Sequence, residues 1–229
     1  QLRLMETLIQ HRNWMKLHEL AEKLGCTERI LKSDLNELRT AFPTIDIQSS
    51  VNGIMIDLEV NTSVEDVYQY FLAHSQSFRL LEYMFFNEGL PIYRTIENLH
   101  SSNANLYRLG RNITKTLSTQ FQIELSFTPS EIRGNEIDIR YFFAQYFSER
   151  YYFLDWPFPD LPEEDLTEFA DFFYKITNYP MRFSIYRMYK LMIAISIYRI
   201  KSGHFVDLPN HFNDEYYPLL MSIPNFEEI

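Results

Sequence analysis

Apolar residues in the first forty positions recur every three or four places, the spacing that lines one face of an α-helix. Leu2, Met5, Leu8 and Ile9 predict a helix over 2–12, Leu17, Leu20, Ala21 and Leu24 a second over 16–24, and Ile30, Leu31, Leu35 and Leu38 a third. Gly25 stands where the second helix needs a left-handed residue to end, Thr27 offers an oxygen cap to the third, and Pro43 stops it. The period then falls to two. Ile45-Asp-Ile47 and Ile54-Met-Ile-Asp-Leu58 alternate, and Asn52-Gly53 between them predicts a tight hairpin with both residues at positive φ. Three helices and a hairpin are the plan of a winged helix-turn-helix, with small Ala21 where two helices cross closely.

Thr62 or Ser63, with Asp66 three residues after Ser63, forms a capping box that starts helices over 64–73 and 78–86. Pro91 opens a short helix holding Ile92, Ile96 and Leu99, and Ser101-Ser102 punctuate the chain before a long helix over 103–119 with Leu106, Leu109, Ile113 and Leu117 inward. Phe121–Phe127 and Ser130–Arg133 predict a second hairpin closed near Gly134. The first module's plan thus recurs as a structural repeat with little helix-to-helix identity. Aromatic-rich helices follow over 137–151, 163–176 and 181–201. The prolines of Trp156-Pro-Phe-Pro-Asp-Leu-Pro162 forbid a regular helix between the first two. The expected fold is mostly α with small β wings: one winged helix-turn-helix in 1–60, linker helices and a second in 61–135, and a helical regulatory domain beginning in 136–229.

Composition adds a constraint rather than a class. At 46% hydrophobic and 23% charged the 229-residue chain is globular, and its net charge of −10 disfavours general adhesion to anionic polymers. The charge is uneven: residues 1–60 carry −2, 61–135 carry −1 and 136–229 carry −7. No acidic residue occurs between Glu97 and Glu124, where Arg108, Arg111 and Lys115 share one helix face. With Asn103, Asn105, Tyr107 and Asn112 around it, this stripe is the electrostatic footprint of a polyanion site. On the third helix of the first module, Arg29, Lys32, Ser33, Asn36 and Arg39 would face the major groove, since Arg and Asn make bidentate contacts to base edges and Lys and Ser reach phosphates or bases. Asn52 at the wing would touch the backbone. Recognition helices about 34 Å apart on one face would span successive major-groove turns.

Other chemistries find little support. All six glycines are isolated, so there is no Gly-rich phosphate loop, and neither the histidines nor the single cysteine make a metal-ligand spacing. Glu163-Glu164-Asp165 reads as first-turn acids answering a helix dipole, not as a catalytic carboxylate pair. No catalytic residue, cofactor or metal is assigned. The apolar stretch 183–200 is cut by Arg187, Lys190 and Arg199, leaving eight uncharged residues where a bilayer needs about 20, so it predicts a core helix and no membrane partner. One cysteine and no leader-like opening predict a reducing cytoplasm. A chain running from Gln1 to Ile229 without an initiator methionine reads as a piece of something longer.

Phe78-Arg-Leu-Leu-Glu-Tyr-Met-Phe-Phe86, Ser102-Asn-Ala-Asn-Leu-Tyr-Arg108 and above all Arg133-Gly-Asn-Glu-Ile-Asp-Ile-Arg-Tyr-Phe-Phe143 resemble the Mga-like family of transcriptional (virulence) regulators from Gram-positive bacteria. The resemblance implies two N-terminal winged helix-turn-helix modules that bind double-stranded promoter DNA. It also implies PRD-like helical domains through which proteins of the sugar phosphotransferase system act, and homo-oligomers of the full-length protein. Ile197-Tyr-Arg-Ile-Lys-Ser-Gly-His204 would belong to the first PRD-like domain. Met192 stands where such domains usually carry the phosphate-accepting histidine, which leaves His204 as the candidate for regulatory phosphorylation. The competing class is a protein-interaction or sensor module that uses its helix-turn-helix units without nucleic acid.

Overall fold

The computed structural model of the chain describes residues 1–58, 63–151, 155–177 and 182–207. Thr62, Met181 and the stretch from 208 on lie outside them. Two compact units divide the chain, Gln1–Leu72 and Ala73–Ile229.

In the first unit, α1 (Leu2–His11), α2 (Leu17–Leu24) and α3 (Glu28–Ala41) precede the antiparallel strands β1 (Ile45–Ser50) and β2 (Gly53–Leu58), and α4 (Val64–His74) begins behind them. The predicted stripes form one core, except that Ile30 points to solvent and Leu4, not on the predicted stripe, is buried. Leu4, Met5, Leu8, Leu20, Leu31, Leu35 and Leu38 pack with Ile45, Ile47, Ile54 and Ile56, and the Phe42 ring packs, tilted, at 4.5 Å from that of Tyr70 of α4. Gly25 is left-handed, Thr27 accepts the Ile30 amide at 3.3 Å, and Ser63 and Asp66 exchange the two bonds of a capping box.

The wing is built differently from the expectation. Ser50 pairs with Gly53, so the loop is Val51-Asn52, and Asn52 does not adopt a positive φ. Gly53, at φ 123, is the first residue of β2. Its backbone must pass the segment between α1 and α2, where Met15 and Ile54 exchange hydrogen bonds of 2.9 and 2.8 Å. A Cβ on Gly53 would fall 1.9 Å from the Met15 carbonyl oxygen. The glycine serves a close approach, not the turn.

The second unit holds α5 (Gln76–Phe86), α6 (Ile92–Asn98), α7 (Asn103–Leu117), the hairpin β3 (Glu124–Phe127) and β4 (Ser130–Arg133), and α8 (Glu136–Tyr151). A 3₁₀ turn (Glu163–Leu166), α9 (Thr167–Thr177) and α10 (Phe183–Lys201) follow. The second hairpin is shorter than predicted and turns at Thr128-Pro129. Gly134 lies at its open end, where a Cβ would meet the Gln122 carbonyl oxygen at 2.4 Å. Helix, short helix, long helix, hairpin is the same order as in the first unit. Phe85, Phe143, Phe147 and Phe158 make the aromatic core beneath it, with ring centroids 4.5–6.4 Å apart. The acids after Pro162 open a 3₁₀ turn rather than an α-helix, and Glu163 is held by Arg187 at 3.1 Å and Lys190 at 3.6 Å. No helix among the described residues is long and apolar enough to cross a membrane.

Candidate nucleic-acid interface

The two helix-turn-helix units match residue for residue at an offset of 75. In the first, the Cys26 amide donates to Ala21 at 3.0 Å, Gly25 is left-handed, and Thr27 caps α3 by accepting from Ile30. In the second, the Ser101 amide donates to Ile96 at 3.0 Å, His100 is left-handed at φ 47, and Ser102 caps α7 by accepting from Asn105 at 3.3 Å. The register carries into the helices, where buried Leu31 and Leu38 correspond to buried Leu106 and Ile113. Gly110 takes the place of Leu35, and the Phe127 ring fills the space its Cβ would need, at 2.5 Å. Sequence reading did not identify His100, because a histidine is not an evident left-handed residue. The repeated spacing to the cap is the signal that finds it.

On α3 the side chains of Arg29, Lys32, Ser33 and Asn36 are exposed on one face. Lys32 is 4.0 Å from Glu28, a solvent-exposed pair, while Arg29 has no partner among the described residues. Arg39 is engaged within its own module. Its Nε donates to the Ile47 carbonyl at 3.0 Å and its guanidinium to Ser49 Oγ and, at 3.2 Å, to Asn36 Oδ1. It clips α3 to β1. At the offset position Thr114 does the same work, accepting the Leu125 amide of β3 at 3.0 Å. Asn52 is exposed at the wing tip, where the loop is fixed by Lys16 Nζ donating to the Val51 carbonyl at 2.9 Å. Neither Thr114 nor Lys16 was identified from sequence, since each acts through a backbone group that only the fold brings near.

On α7, Asn103, Tyr107, Arg108, Arg111, Asn112 and Lys115 are all exposed, opposite the buried Leu106, Leu109, Gly110, Ile113 and Leu117. Arg108 donates to Asn105 Oδ1 at 2.7 Å, and the Asn105 amide donates to Ser101 Oγ at 2.9 Å, so one cation is positioned from the turn. The Tyr107 ring rests on Phe127 at 5.1 Å. None of Arg108, Arg111 and Lys115 has a carboxylate within ion-pair reach among the described residues. The two predicted sets of groove residues therefore sit on equivalent helices, one in each compact unit.

Behind α7's module lies a buried charged node that sequence reading missed. Arg199 of α10, 1% exposed, reaches Glu88 at 2.9 Å and Glu136 at 2.8 Å and donates to the Ile132 carbonyl of β4. Glu88 also accepts the Ile132 amide at 2.9 Å and contacts His204 Nε2 at 2.9 Å. Arg140 adds a 2.8 Å bond to Glu136. Burial raises the Glu136 pKa, but the hydrogen bonds and charges of Arg199 and Arg140 outweigh it and hold the carboxyl below its ordinary 4.5. Nearby, burial and Glu82 push the Tyr146 and Tyr151 hydroxyls well above the usual tyrosine range.

Comparison with known proteins matches the chain in three stretches. Residues 1–54 match the M protein trans-acting positive regulator (MGA) HTH domain, residues 60–147 the Mga helix-turn-helix domain, and residues 162–229 the MGA PRD domain. The chain is 45% identical over 230 residues to a putative trans-acting regulator of Streptococcus pneumoniae serotype 4, covering 100% of this chain and 47% of that protein. It is 25% identical over 207 residues to the capsule synthesis positive regulator AcpA of Bacillus anthracis, covering 88% of this chain and 42% of AcpA. The chain spans about half the length of the curated relatives it matches.

Proposed function

The chain belongs to the Mga-like family of trans-acting regulators, and on that footing we propose that it regulates transcription by binding double-stranded DNA through α3 and α7. The observation that supports this most is the exposed face of α7. In a chain of net charge −10, Arg108, Arg111 and Lys115 are left without carboxylate partners among the described residues, on the helix that follows a helix-turn-helix turn. Asn103, Asn105, Tyr107 and Asn112 add donors beside them. On α3, Arg29 and Lys32 supply charge and Ser33 and Asn36 hydrogen bonds. Arg39 donates to Asn36 Oδ1, which leaves the Asn36 amide N–H groups for a base acceptor. Asn52 would meet the backbone at the wing. Titration with duplex DNA at low and moderate salt tests this: log affinity falls with log salt by about 0.9 per phosphate contacted. Absence of a complex at low salt contradicts it.

A protein-interaction role is favoured at α3 alone by the Lys32–Glu28 pair and the diversion of Arg39; a DNA affinity that does not respond to Arg29→Ala and Asn36→Ala together would assign α3 to a protein partner. Regulation enters the proposal through residues 162–229, with phosphotransferase-system proteins as the source and His204 as acceptor. A phosphoryl group on His204 Nε2 would displace Glu88 from it. A His204→Asp variant with unaltered DNA affinity removes that route. The full-length protein is proposed to work as a homo-oligomer; a monomer in sedimentation at micromolar concentration contradicts this.

A further inference from the structure

A cleft of about 250 Å³ opens in the second compact unit. Its walls are Arg79, Glu82 and Tyr83 of α5, Asn98 and Leu99 at the end of α6, and Arg150 of α8. These two arginines share with Arg108 and Arg111 of α7 the lack of an ion-pair partner among the described residues. Elsewhere in the unit Arg94, Arg140, Arg187, Lys190 and Arg199 each hold a carboxylate at 2.8–3.6 Å. Arg79 and Arg150 have none within 4.0 Å among the described residues, and Arg150 is braced over the Tyr151 ring at 4.8 Å.

The carboxylate on the cleft wall is already engaged. Glu82 Oε2 accepts the Tyr146 hydroxyl and Oε1 the Tyr151 hydroxyl, both at 2.5 Å. The remaining polar groups, two guanidinium forks, the Asn98 amide and the Tyr83 hydroxyl, have no side-chain partners among the described residues. All four can donate, and they come from three helices rather than one plane. Donors converging from several directions match a tetrahedral oxyanion better than a flat carboxylate, and Arg forks are the side chains that bind phosphate bidentately.

We propose that this cleft binds a phosphate group, carried by a small phosphomonoester or by a DNA backbone passing α5. Asn98 and Leu99 end α6 immediately before the helix-turn-helix turn, so an occupant would bind α8 and α6 together beside that turn. The proposal does not depend on DNA binding by α7.

The test uses thermal melting of the chain with inorganic phosphate and with ribose 5-phosphate, against chloride at equal ionic strength, and DNA titration across salt. Arg79 is exposed, so Arg79→Gln should leave the fold intact. A small-molecule source predicts a melting rise of about 3–6 °C at a probe concentration ~10 times Kd, lost in Arg79→Gln and in Arg150→Gln but kept in Arg111→Gln. A duplex source predicts no melting rise and a salt slope shallower by about 1 in Arg79→Gln. The absence of both responses overturns the proposal. So does a melting rise that Arg111→Gln abolishes, since the phosphate would then sit on α7.

Discussion

Arg39 shows what a single side chain's surroundings add to its type. At the end of an exposed helical stripe it reads as a base-contacting residue, yet its hydrogen bonds to Ile47, Ser49 and Asn36 make it the tie between recognition helix and wing. Arg39→Ala should therefore lower stability by about 1–2 kcal/mol and weaken DNA binding evenly across sequences. Asn36→Ala should change stability by less than about 0.5 kcal/mol and alter sequence preference. Melting curves with binding to a panel of duplexes decide between them, and the reverse pattern would return Arg39 to the groove. Glu136 makes a separate prediction. A carboxyl held below 4.5 contributes stability that is present above that pH and is lost as pH falls through the depressed value. Wild-type urea midpoints should thus drop more steeply below about pH 4.5 than those of Glu136→Gln; parallel curves would mean that Arg199 and Arg140 do not govern this group.

At the scale of elements, much was legible because local rules and burial agree. Helical periodicity located α1 to α3 and α7, with Ile30 of the predicted inward stripes exposed and Leu4 buried without having been counted in them, and Thr27 and Ser63 cap where their spacing implies. What was not legible depended on segments distant in sequence. Asn52-Gly53 has the composition of a tight turn, but the strand-like passage of Met15 claims the glycine and shifts the loop to Val51-Asn52. Arg187, Lys190 and Arg199 read as interruptions of an apolar helix and are buried, because Glu163, Glu88 and Glu136 arrive from other elements to meet them. Two glycines separate the causes experimentally. Gly53→Ala combines positive φ with a backbone clash and should cost the first unit about 2 kcal/mol or more, whereas Gly25→Ala has open space and pays about 1 kcal/mol for φ alone. Equal losses on denaturation would mean that Met15 does not press on the wing.

For the molecule as a whole the question is how an acidic chain holds a polyanion. Most of the excess acid lies after residue 135, where carboxylates such as Glu136 and Glu163 are spent on buried cations. The cations of α7 stay outside that economy, so the local field at the second helix-turn-helix opposes the net charge. Sequence alone exposed this asymmetry through the acid-free window between Glu97 and Glu124, while the matching of the two modules at an offset of 75 became visible only in their turns. The decisive measurement is the salt dependence of duplex binding by the Arg108→Ala, Arg111→Ala, Lys115→Ala triple variant. Loss of three phosphate contacts should flatten the slope of log affinity against log salt by about 2–3 units with the fold unchanged. A slope equal to wild type would place the DNA somewhere other than α7.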